Sequence, residues 1–175
     1  TIRQEGDRVS ARLKAMQREF GDSLLLKRFP AGRTKVSMIR AHLQSLILSN
    51  FVPEVVIIDY INLMCPEITT DHRHRDLGQV YVDLIGLGQE LHIWPFTAAQ
   101  SNRNGFSAKL ITMRDVADSF EGCMHSHTII TLNRDDDESA REKIRLYIAK
   151  DRSGIDKRII NGRTAFSKGI FWKRT

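Results

Sequence analysis

The chain predicts an α/β fold: a mostly parallel sheet covered by helices on both faces and finished by a C-terminal β-hairpin. Three features of its 175 residues carry this expectation. Apolar runs such as VVII at 55–58 are continuous rather than alternating, as in strands buried on both faces. Amphipathic helical stretches separate these runs, giving the strand–helix–strand alternation of parallel pairing. Near the end, KIRLYIAK and KRII flank DRSGID, with Gly154 as the turn residue of a hairpin.

Taken in order, residues 7–19 (DRVSARLKAMQRE) read as a polar, basic helix whose apolar positions Val9, Leu13 and Met16 recur at helical spacing. LLLKRF at 24–29 is predicted as a strand stopped by Pro30, AGRT as a turn, and Thr34 as the cap of a helix running to about residue 49. Val36, Ile39, Leu43, Leu46 and Ile47 fall on one face of that helix, and Asn50 and Pro53 end it before a strand at 54–59. After CPEITTDHRHRD, the positions Leu77, Val80, Tyr81, Leu84, Leu87 and Leu91 mark a second amphipathic helix, and HIWPFTAAQ supplies the next strand. A polar, basic stretch, SNRNGFSAKLITMRD, leads to a short helical segment near VADSFEG and then to a strand, HTIITLN. DDDE at 135–138 reads as a solvated loop, and AFSKGIFWK adds one further strand. The chain is expected to be a single partial domain: an N-terminal helical segment (1–22), an α/β core (23–134) and C-terminal hairpin strands (143–175).

Composition narrows the setting. Lys and Arg exceed Asp and Glu by 27 to 21, and the resulting +6 charge favours an acidic partner such as nucleic acid. Cys65 and Cys123 make neither a disulfide framework nor a zinc ribbon, which fits a reducing compartment. No apolar stretch reaches the roughly 18 residues that span a bilayer, and TIRQEGDRVS lacks a signal-peptide core, so the expected location is the cytoplasm.

The chemistry concentrates at strand ends. Asp59 follows VVII, and a carboxylate leaving the C-terminal end of a buried strand either caps the next turn or holds hydrated Mg²⁺ against phosphate, as a Walker B acid does. Gln100 ends FTAAQ and opens on the crevice where such sheets bind ligands. Lys150 and Arg152, two apart on a strand, point to the same side and can reach one target together. Cys123, His125 and His127 would share a strand face without an evident fourth ligand, and DHRHRD reads as an exposed loop rather than a ligand set.

Four segments, NFVPEVVIIDYINLM, TAAQSNR, MRDVADS and IAKDRSG, occur in the order and spacing that resemble the motor domain of the DnaB-type replicative DNA helicases, with wording closest to the T-even phage branch. The likeness runs from KRFP at 27 to FWK at 173. It implies a RecA-like P-loop NTPase core using ATP and Mg²⁺, with Asp59 as the acid holding the metal through water and Gln100 as the sensor of the γ-phosphate. Lys150 and Arg152 match the K-x-R pair that acts on ATP held by the neighbouring subunit. The two DNA-facing loops correspond to Ser101–Met113, with Arg103 and Lys109 as candidates, and to Asp118, Phe120 and Gly122. Phe106 is expected to pack into the base of its loop rather than stack on DNA. In the second loop Ala117 stands where the bacterial form has arginine and Phe120 where it has glycine. Implied partners are single-stranded DNA, further copies in a hexameric ring, and a primase or helicase loader, inside a bacterial cell or phage-infected host.

A P-loop needs G-x-x-x-x-G-K-[ST], and none is present; the nearest imitation, AGRT at 31–34, has Lys27 where the first glycine belongs. The resemblance places the P-loop, its strand and the catalytic glutamate before this region. The expectation is therefore the C-terminal part of a motor domain, with bare apolar faces and little or no ATP hydrolysis alone. Two other readings are a recombinase-like ATPase of the same broad fold and a non-catalytic DNA-binding or assembly module.

Overall fold

A computed structural model describes residues 10–174 apart from 13, 16, 17, 103, 104, 106, 107 and 117–119. The stripe Val9, Leu13 and Met16 lies outside the described residues, while residues 10–12, 14, 15 and 18–20 are helical and exposed.

The first helix of the core, α1 (Val36–Leu48), buries Val36, Ile39 and Leu43 along one face. Its start differs from the expectation. Thr34 does not cap it: its hydroxyl donates to the Pro30 carbonyl at 2.7 Å, and its backbone forms a parallel bridge with Met64. The capping comes from afar instead. Glu67 accepts from the Ser37 amide at 2.8 Å and the Ser37 hydroxyl at 3.0 Å, satisfying a first-turn N–H that has no partner inside the helix. Nor is 24–29 a strand; no ladder forms there among the described residues, and Leu26 is 78% exposed. A strand needs an edge to pair with, which apolar composition alone does not supply.

β1 (Val55–Ile58) and β2 (Trp94–Thr97) pair in parallel, with Val55 opposite Trp94 and Ile58 opposite Thr97. The connection runs through α2 (Arg73–Leu91), which ends where His92 takes a left-handed φ of 54°. Leu77, Val80, Leu84 and Leu87 of α2 join the α1 residues, Ile61 and Ile93 in one core, against which Val56 and Ile58 pack. The helix lies close over β2 because Gly88 has no side chain: a Cβ there would sit 3.0 Å from Pro95 Cδ. Beyond it, α3 (Phe120–His125) packs on α2 with Gly122 buried, and a Cβ on Gly122 would fall 2.2 Å from Tyr81 Cε2.

A second, antiparallel sheet has the order β3 (Thr128–Asn133), β4 (Lys143–Asp151), β5 (Arg158–Ala165) and β6 (Ile170–Arg174). The β4–β5 hairpin and the last strand agree with the sequence reading, and Gly154 supplies the positive φ of 102° at the turn. DDDE is not a loop but opens α4 (Asp136–Ala140), where Asp135 and Glu138 form a reciprocal capping box. The α/β class stands. Parallel pairing joins β1 to β2, while β3 pairs with the hairpin. No described helix is long and apolar enough to cross a membrane.

Candidate functional site

β1 and β2 run side by side in the same direction, so the segments leaving their C-terminal ends open on the same edge of the sheet. Asp59 comes directly after Ile58, and Gln100 three residues after Thr97. The exits are tied together: Thr97 Oγ1 donates to the Ile58 carbonyl at 3.1 Å and accepts from the Ile61 amide at 3.1 Å. Gln100 Nε2 lies 3.5 Å from the hydroxyl of Tyr60, the residue next to Asp59. The Asp59 carboxylate is exposed and has no hydrogen-bond or ion-pair partner among the described residues. One free carboxylate at such an end fits Mg²⁺, which keeps most of its own waters. No backbone cradle for phosphates accompanies it, because the sequence carries no P-loop glycines. Among the described residues no group of three or more His, Cys, Asp and Glu is placed to hold a metal directly.

Lys150 and Arg152 do reach one target together, and in this chain the target is internal. Lys150 Nζ donates to the carbonyls of Cys123 at 2.7 Å and Met124 at 2.8 Å, and Arg152 donates to Met124 O at 3.0 Å. These carbonyls end α3 and have no partner within the helix, so two cations there satisfy both the hydrogen bonding and the helix dipole. Burial, and then the adjacent Arg152, hold the Lys150 ammonium below its usual pKa. Burial also pushes the Cys123 thiol up, and Tyr81 up to about 12.

The expected DNA-facing loops fall partly within the described residues. Arg103, Phe106, Ala117 and Asp118 lie outside the described residues, and Phe120 is described only as the first residue of α3. Lys109 is exposed. Gly122 is buried under Tyr81, which gives this glycine a packing reason independent of any ligand. Cys123, His125 and His127 do not share a strand face as expected: the first two belong to α3, and β3 begins only at Thr128.

The first loop has a built frame that sequence reasoning missed. Its neck closes where the Asn102 amide donates to Asp115 O at 2.7 Å and Ser101 bridges Val116. Its far end is pinned to the second sheet. The Ile111 amide donates to Asn133 Oδ1 at 2.6 Å, Thr131 Oγ1 donates to Ile111 O at 2.7 Å, and Arg145 donates to Lys109 O at 3.0 Å. The available signal was polarity inside a strand: Thr131 and Asn133 interrupt the apolar run of HTIITLN.

A comparison with curated proteins returns no match. Among known structures, one described as an ATPase domain superposes with a TM-score of 0.73 at 21% identity, covering 82% of this chain and 52% of that one. A DnaB-like replicative helicase, described together with its interactions with primase, gives a TM-score of 0.69 at 22% identity, covering 78% of this chain and 35% of that one. The chain thus spans about a third to a half of the length of these two neighbours. Both likenesses concern the fold. The profile of the DnaB-like helicase C-terminal domain matches residues 4–168, nearly the whole sequence, and the chain belongs to that family.

Proposed function

We propose that this chain is the C-terminal part of an ATP-driven replicative DNA helicase motor, in which hydrolysis at subunit interfaces drives movement along single-stranded DNA. The observation carrying this reading is the common exit of two parallel strands, with Asp59 free at one and Gln100 beside Tyr60 at the other. Asp59 would hold Mg²⁺, and Gln100, able to donate and accept, would respond to the γ-phosphate. When bound, the metal ion neutralises charge on the phosphates. The P-loop that cradles those phosphates comes from outside these residues, so the chain alone turns over little ATP. Lys150 and Arg152 act on nucleotide held by an adjacent copy in a ring, and to do so must leave the α3 carbonyls they now occupy. Lys109 meets DNA phosphate, while primase and loader contacts belong to the complete protein.

An ATPase assay with single-stranded DNA tests the reading. The chain alone is expected to show no substantial turnover. A form extended upstream to include a P-loop is expected to hydrolyse ATP and to lose about a hundredfold or more on Asp59→Ala. Full activity in that variant, or brisk turnover by the 175 residues alone, overturns the assignment.

A further inference from the structure

The loop carrying Lys109 leaves the β2 end at Ser101 and returns at Val116, and these two residues bridge to close its neck. Fourteen residues separate them in sequence, a length at which a loop holds one shape only if something fixes it. The loop's own Thr112–Asp115 capping box is part of that fixture, and three side chains on the antiparallel sheet supply the rest of its hold on the sheet.

Thr131 and Asn133, 7% and 3% exposed, sit two apart on β3 and therefore face the same side. Together they satisfy the amide and the carbonyl of Ile111, as a neighbouring strand would. The Asn133 side chain is used at both ends, since its Nδ2 also donates to Thr131 O at 3.1 Å and Thr131 Oγ1 at 2.9 Å. Two residues back along the loop, Arg145 of β4 donates to the carbonyl of Lys109 itself. Its guanidinium is held in place by Glu138, with Nε 2.6 Å from Oε1 and Nη2 3.0 Å from Oε2. Three side chains thus grip Lys109 and Ile111 through their backbones and leave the Lys109 side chain exposed.

We propose that Thr131, Asn133 and Arg145 are positioning residues for single-stranded DNA, holding the loop so that Lys109 presents its ammonium to a backbone phosphate. None of the three touches the strand. The inference rests on the DNA-binding role proposed for this family member. Its physical basis is that a long flexible cation loses much of its contribution when its backbone is unfixed, because binding must then order the loop as well. Holding the backbone beforehand removes that cost.

The test uses the whole chain and a fluorescein-labelled oligo(dT) of about 15 nucleotides, monitored by anisotropy across a salt series. Thr131→Val keeps the shape and removes the hydroxyl. It is expected to weaken binding roughly fivefold and to lower the log–log salt slope by about one, as loss of a single phosphate contact does. Thr131→Ser restores both. Lys109→Ala gives a similar loss, and Thr131→Val adds nothing to it, because the two act through one contact. If Thr131→Val fails to fold, Arg145→Lys replaces it: the charge facing Glu138 stays, while the fork that reaches Lys109 O is lost. Wild-type affinity in the anchor variant, or losses that add to that of Lys109→Ala, overturns the inference alone. Wild-type affinity in Lys109→Ala removes the DNA contact from this loop and takes the inference with it.

Discussion

The two faces of the β1–β2 pair have nearly the same chemistry and opposite fates. On one face Val56 and Ile58 pack against α1 and α2 in the main core. On the other, Val55 and Ile57 are 50% and 77% exposed, and their ladder partners Trp94 and Phe96 are 70% and 56% exposed. A strand that is apolar on both sides is made to lie between two layers, and the described residues supply one. The difference shows that apolar sequence alone does not decide which face of a strand is covered.

Truncation on the two sides should separate them most. Leu87→Ala, in the covered core, is expected to cost about 2–5 kcal/mol in denaturant melts. Trp94→Ser should stay within about 0.5 kcal/mol and instead reduce binding of a hydrophobic dye. Equal costs would mean that both faces are covered in solution, by self-association for example. A smaller effect tests how tightly the cover itself fits. Gly122→Ala puts a methyl group into the Tyr81 ring and should cost about 1–3 kcal/mol by thermal unfolding, while the same substitution at open Gly86 should not. The smallest concerns how α1 is held in place. Hydrogen bonding from the Ser37 amide keeps Glu67 below its usual pKa of 4.5. Its contribution is therefore present above that value and fades as pH falls through the lower folded-state pKa. Glu67→Gln should destabilise at neutral pH and flatten the acid limb of a Tm-against-pH curve; an unchanged acid limb would show that other carboxylates govern it.

How much of this was legible in advance depends on the range of the interactions. The helices at 36–48 and 73–91 and the hairpin around Gly154 announce themselves through local periodicity and turn chemistry. The placement of Asp59 and Gln100 at neighbouring strand ends came from those elements being consecutive. The features that stayed hidden depend on distant partners. Nothing near Thr34 tells that its hydroxyl is already engaged with Pro30, or that a glutamate 30 positions beyond Ser37 takes over the cap. The same holds for Lys150 and Arg152: the spacing lets both reach one target, but does not tell that the end of α3 is that target. Asn133 and Thr131 look like ordinary strand residues until the returning loop is laid beside them.

The Glu67 cap has one more consequence. A turn reading AGRT ahead of a helix resembles a berth for phosphate, and a helix of 13 residues presents positive potential at its start. Here a carboxylate is already moored at that berth, so an incoming anion would be repelled from it. The molecule has in effect signed over its most convenient phosphate seat to its own architecture.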